Sequence, residues 1–76
     1  MDMKERTYTV VLEKEDEGGY HAFCPALKGC HSQGETLEEA VDNIREAVTL
    51  YLETLIEDGR SIPPEDIVVK PIRIAV

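Results

Sequence analysis

The chain has 76 residues, of which 42% are hydrophobic, and a formal net charge of −8 at pH 7. We therefore expect one small folded domain over residues 1–76, with a core that is marginal alone. No apolar stretch approaches the roughly 18 residues of a membrane span, and none follows the charged start, so we expect no membrane insertion or secretory leader and a cytoplasmic protein. The acidity disfavours direct contact with nucleic acid and favours a basic partner, although it also suits mere solubility.

The first half of the chain predicts three short antiparallel strands. Residues 8–13 are rich in β-forming side chains, and a polar turn containing two glycines separates them from a second strand over residues 20–24. Pro25 ends that strand because it has no N–H to donate. A loop to residue 29 then leads into a short third strand over residues 30–33.

A long amphipathic helix follows, and its start is marked by a capping box. The Thr36 hydroxyl and the Glu39 carboxylate have the spacing with which such a pair satisfies the first backbone N–H groups of a helix. Gly59 then supplies the stop, so the helix is predicted to end at about Asp58. Its apolar stripe is expected to pack across the sheet. The stripe consists of Leu37, Val41, Ile44, Val48, Tyr51 and Leu55.

The last ten residues, 67–76, predict a fourth strand, which gives an α+β fold of order β-β-β-α-β. Pro71 forbids a full hydrogen-bond ladder there, so the strand is expected at an edge or with a bulge. An exposed apolar strand together with a marginal core predicts a homodimer or larger assembly. The predicted oligomer contacts are Ile67, Val69, Ile72 and Ile74.

The side of the helix opposite the apolar stripe is predicted to form an acidic face, with Arg45 as the only base within the helix. Leu50 falls in the middle of that face, where an exposed leucine is a candidate contact. The same residues also fit an ordinary solvated surface. The predicted partner-binding set is Glu39, Asp42, Glu46, Leu50, Glu53 and Glu57.

Two cysteines and two histidines raise the question of a metal site or an active site. Cys24 and Cys30 are five residues apart, which matches none of the short zinc-binding spacings, and strand alternation directs His21 and Cys24 to opposite faces. The chain contains no phosphate-binding glycine motif and no nucleophile or metalloprotease motif. Buried cysteines that act as small hydrophobes are the better interpretation. We therefore expect no enzyme, no metal and no cofactor.

Residues 19–40 also closely resemble the conserved block of the HicB-like antitoxin family. The resemblance lies in Gly19 with its following aromatic, the loop from Pro25 to Cys30, and the segment from Ser32 to Ala40. It implies a partial ribonuclease-H-like fold without nuclease activity. It further implies an antitoxin that binds a small, basic, messenger-RNA-cleaving toxin of the HicA type. A separate DNA-binding domain, which many family members carry, is not expected in this chain.

The alternative to a HicA-type antitoxin is an orphan oligomeric module of the same fold, with another protein partner or a small ligand. The two functions predict different genomic surroundings, because only the first requires a basic toxin reading frame beside this gene.

Overall fold

The computed structural model describes residues 5–76. The prediction that no leader is present rests on the charged start of the chain, part of which lies outside the described residues. Three strands and one helix follow in the predicted order: β1 (Val11–Lys14), β2 (Tyr20–Phe23), β3 (His31–Gly34) and α1 (Leu37–Glu57). The predicted α+β arrangement of three strands and a long helix is confirmed. Among the described residues, no helix is both long enough and apolar enough to cross a membrane.

The strands form one antiparallel sheet in the order β1-β2-β3. The turn between β1 and β2 uses Gly18 and Gly19, both at positive φ (101° and 82°), a conformation that glycine adopts without a steric penalty. The wider loop between β2 and β3 is closed by a hydrogen bond of 3.1 Å from the Cys24 N–H to the Cys30 carbonyl. Both connections are short, and they fix the register of the sheet.

Both ends of α1 are capped as the sequence predicts. Thr36 Oγ1 accepts from the Glu39 N–H at 3.1 Å, and the Glu39 carboxylate reaches back to the N–H of Glu35 at 3.2 Å, one residue before the cap itself. At the other end the Arg60 N–H donates to the Leu55 carbonyl and the Gly59 N–H donates to the Ile56 carbonyl, with Gly59 at a φ of 67°. This pair of bonds is a Schellman motif, and it stops the helix.

The core lies between α1 and the part of the sheet formed by β2 and β3, while β1 is the strand that the helix covers least. Leu37 was predicted to belong to the packing stripe, but it is 50% exposed. Its place is taken by Ala40, which lies one turn further along the helix and is fully buried. The fully or nearly buried side chains are Ala22, Cys24, Leu27, Cys30, Ala40, Ile44 and Leu55.

Gly34 explains why Ala40 occupies the buried position. A Cβ at Gly34 would lie 2.8 Å from the Ala40 Cα, closer than real Cβ atoms approach a backbone. The absence of a side chain at the end of β3 therefore lets the first turns of α1 approach the sheet directly. Because the contact is backbone to backbone, it places the helix axis near β3 and away from β1.

The predicted fourth strand is wrong for this chain on its own. Residues 60–76 form neither helix nor strand, and Val68, Val69, Ile72 and Ile74 are between 67% and 86% exposed. The chain is anchored at the start of this segment, because the Tyr8 hydroxyl donates to the Pro63 carbonyl at 2.5 Å and the N–H and hydroxyl of Thr9 donate to the Glu65 carboxylate. The residues beyond these anchors pair with none of the described strands, so most of their apolar side chains stay exposed.

Candidate functional site

The acidic face predicted on α1 is present as a continuous exposed stripe. At about 100° per residue its six members fall within about 80° of the helix circumference, on the side away from the sheet. We call this set the acidic stripe, and all of its members are exposed: Glu39, Asp42, Glu46, Leu50, Glu53 and Glu57.

Two features distinguish members of the acidic stripe from one another. Arg45 lies 3.3 Å from Asp42, so this carboxylate is partly balanced by a neighbouring cation, although both groups are well solvated. Leu50 is 56% exposed between the acids one turn before and after it. The stripe thus combines excess negative charge with one aliphatic side chain, an arrangement that suits docking of a basic surface with an apolar spot.

A large apolar groove, which the sequence did not predict, runs along the other flank of α1. It lies between the helix and the chain leading into β1, and its volume is about 1560 Å³. Val48 and Leu52 form part of its wall and are half buried, while Ile56 is 60% exposed. We call it the β1 groove. It exists because the apolar side of α1 is wider than the sheet beneath it, which ends at β1.

The outer face of the sheet carries a stacked aromatic cluster that the sequence analysis also missed. The His21 and His31 rings stack with centroids 5.0 Å apart, and Phe23 lies 5.8 Å from His31 and 5.9 Å from His21. His21 Nε2 and His31 Nδ1 are 2.9 Å apart, and Glu13 lies 3.5 Å from His21 Nδ1. The sequence indicated that His21 and Phe23 share one face of β2, because they are two residues apart. It did not show that His31 lies opposite Phe23, because that depends on the register between β2 and β3.

Both cysteines are buried and free, as predicted for small core hydrophobes. Burial raises the pKa of the Cys24 thiol and of the Cys30 thiol above their ordinary value of 9.0. Raised values keep both groups protonated at neutral pH, which disfavours nucleophilic chemistry. His21 projects from the opposite face of the sheet, and within residues 5–76 no three His, Cys, Asp or Glu side chains are arranged to hold a metal ion.

Comparison with known proteins places this chain in a family. Residues 8–73 match the family model described as the HicB-like antitoxin of bacterial toxin–antitoxin systems. The UPF0150 protein ssr1765 of Synechocystis is 64% identical over 69 residues, which cover 91% of this chain and 87% of that protein. A UPF0150 protein of Helicobacter pylori is 52% identical over 66 residues, covering 86% and 90% of the two chains.

A solved structure agrees with this result. The crystallised N-terminal domain of the antitoxin HicB of Burkholderia pseudomallei superposes with a TM-score of 0.70 at 36% identity, covering 78% of this chain and 69% of that one. The chain therefore belongs to the HicB-like antitoxin family, which confirms the resemblance seen in residues 19–40. Membership points to a role in a toxin–antitoxin system, and hence to a toxin as the partner.

Proposed function

We propose that this protein neutralises a HicA-type, messenger-RNA-cleaving toxin by binding it, without cleaving RNA itself. The observation that carries the proposal is the family match over residues 8–73, which spans the whole sheet and helix. A toxin that handles RNA needs a basic surface for the phosphate backbone. An antitoxin with a net charge of −8 can meet that surface with carboxylates of its own.

The acidic stripe is the proposed docking surface for the toxin. It lies on a 21-residue helix that is capped at both ends and packed on the sheet, so the backbone that carries its carboxylates needs little ordering on binding. The only cation within the helix, Arg45, is engaged by Asp42. In this arrangement Leu50 would be desolvated at the centre of the contact, while the surrounding acids steer the encounter.

The direct test is to reverse two charges of the acidic stripe that do not border the β1 groove. Asp42→Lys/Glu46→Lys is expected to slow association with the purified toxin at low salt by at least tenfold, and to matter less at high salt, because screening weakens exposed charges. Stopped-flow or surface-based kinetics at several salt concentrations would measure this. The toxin's ribonuclease activity, titrated with antitoxin, gives a second readout.

A matched control places the same charge change elsewhere. Glu15→Lys/Glu17→Lys reverses two exposed acids in the turn between β1 and β2, outside the helix that carries the acidic stripe. If the control slows association as much as the stripe variant does, the effect comes from net charge and the docking surface is wrong. If no HicA-type toxin is bound or inhibited by the wild-type chain, the proposed function itself is wrong.

The second part of the proposal is that the chain self-associates, as a homodimer or a larger assembly, through its last ten residues. The proposed contacts are Ile67, Val69, Ile72 and Ile74. Of these, Ile67 is half buried against its own domain, and the other three are 67–74% exposed. Side chains of this kind are usually covered by a partner in a soluble protein.

A further inference from the structure

The unpaired edge of β1 is the first of three observations that locate the self-association contact. The Glu15 N–H donates to the Gly19 carbonyl. Every second residue of an antiparallel strand is hydrogen-bonded to its partner strand, so Glu13 and Val11 also bond to β2. The backbone groups of Leu12 and Lys14 therefore point away from β2, toward an edge that no other described strand covers. Such an edge is a template for pairing with a further strand.

The β1 groove is the second observation, because it borders the chain that leads into β1, at residues 5–8 and at Val10. Its floor includes Val10, whose side chain packs on the same face of the sheet as the core, and its helix wall includes Leu52 and Ile56. A strand that is added to β1 and continues along residues 5–10 would lie over the groove and direct every second side chain into it. The apolar wall is thus the surface that such a strand would bury.

The third observation is the chemistry of residues 67–76. Alternate positions Ile72, Ile74 and Val76 are apolar and 69% or more exposed. The segment also carries Lys70 and Arg73 and no acid, so it has a charge of +2 while the other 66 residues carry −10. It is a basic, apolar, β-forming segment attached to an acidic domain. The groove is lined by more acids than bases, namely Glu5, Glu53 and Glu57 against Arg6 and Arg45.

We propose that residues 67–76 of one copy add as a strand to the β1 edge of a second copy and place Ile72 and Ile74 in its β1 groove. This inference rests on the self-association proposed above and names its geometry. A twofold axis makes the exchange reciprocal, so each copy donates one segment and receives one. The open edge and the exposed segment, both left uncovered in the single chain, then cover each other.

Pro71 fits this arrangement and limits it. When the N–H groups of Lys70 and Ile72 face β1, the missing N–H of Pro71 falls on the outer side of the added strand. That side would otherwise form a new sheet edge. The proline removes one donor from that side, which weakens it as a template for a further strand.

Three variants, each of which replaces an exposed aliphatic side chain with aspartate, test the proposal. Their self-association is measured by sedimentation equilibrium from low to high micromolar concentration. Ile72→Asp alters the donated segment, Ile56→Asp alters the groove, and Leu50→Asp is the control, an exposed residue of the same helix that does not line the groove. All three residues are at least 56% exposed, so each variant is expected to stay folded by circular dichroism. The first two are expected to raise the dimer dissociation constant at least tenfold, and the control less than threefold.

Mixing the variants gives a second, independent readout. A heterodimer of Ile72→Asp and Ile56→Asp retains one contact in which both the segment and the groove are unchanged. The mixture is therefore expected to dimerise more strongly than either variant alone, and absence of this rescue would overturn the strand exchange.

The outcomes separate the inference from the proposal beneath it. A wild-type chain that is monomeric at high micromolar concentration overturns self-association altogether. Loss of the dimer in Ile72→Asp but not in Ile56→Asp leaves self-association standing and overturns docking in the β1 groove. Equal loss in the Leu50→Asp control would place the interface on the acidic stripe and overturn the inference.

Discussion

The two edges of the sheet differ in how their backbone groups are covered. At the β3 edge the Asn43 side chain donates to the outward carbonyl of Gln33 at 2.8 Å, and Gly34 brings the helix backbone against the strand. Toward β1 the helix draws away and leaves an open groove beside the chain that leads into that strand. The two edges of this small sheet therefore differ: the helix covers the β3 edge within the chain, whereas the β1 edge is available to a second chain.

The largest expected difference between the two sides is in packing. Ile44 is 1% exposed beneath the helix, so Ile44→Ala should lower the free energy of unfolding by about 2–5 kcal/mol through lost burial and a cavity. Ile56→Ala, on the β1 side, should change it by only about 0.5 kcal/mol in a monomer. Urea unfolding of both variants in an Ile72→Asp background would measure this. Equal losses would contradict the asymmetry.

The contact between Gly34 and Ala40 should give the next largest effect. Gly34→Ala would add a Cβ 2.8 Å from the Ala40 Cα, and both sides of the contact are backbone, so the helix has to move. Overpacking of this kind costs about 1–3 kcal/mol. Gln33→Ala is the control, because it truncates an exposed neighbour on the same strand. Thermal unfolding that leaves Gly34→Ala as stable as this control would contradict the close approach.

A smaller effect is expected from uncovering the β3 edge. Asn43→Asp keeps the shape of the side chain but replaces the donor with a carboxylate that faces the Gln33 carbonyl. Loss of this hydrogen bond should lower the free energy of unfolding by about 1 kcal/mol. Asp42→Asn, a change between the same two residue types one position earlier, should have less effect. The proposal for this edge fails if the two variants unfold at the same urea concentration.

The sequence predicted the parts of the fold that local chemistry determines. Gly18 and Gly19 marked the first turn, Thr36 and Glu39 the helix start, and Gly59 its end, because each acts on backbone groups within a few residues. Leu37 was misplaced because helical periodicity gives a direction but not the distance to the sheet, which the contact at Gly34 decides. Contacts between residues far apart in the sequence could likewise not be predicted from local patterns.

The candidate surfaces divide along the same line. The acidic stripe was predicted correctly as an exposed face, since residues three and four apart share one side of a helix. Its binding role remains a proposal. The β1 groove was not predicted, because it depends on where the sheet ends relative to the helix. The fourth strand was predicted from a β-forming pattern in residues 67–76, but such a pattern does not say which chain supplies the partner strand.

The smallest expected effect is a pH dependence from the two buried thiols. Their pKa values are raised in the folded state, so the folded protein holds these protons more tightly than the unfolded chain does. Their contribution to stability is therefore present below pH 9.0, the ordinary value, and lost as pH rises through the raised values. Urea unfolding of wild type and Cys24→Ala/Cys30→Ala up to about pH 10.5 should converge in the alkaline range. A constant difference would contradict burial of the thiols.

Amide hydrogen exchange at Leu12 and Lys14 tests the contrast between the edges most directly. These two N–H groups face the open edge of β1, so a strand donated by a second copy is what would protect them. At high protein concentration the wild type is expected to protect both amides, and Ile72→Asp is expected to exchange them as fast as an exposed loop while its other β1 amides stay slow. Fast exchange of both amides in the wild-type dimer, or equal protection in the variant, would contradict the account.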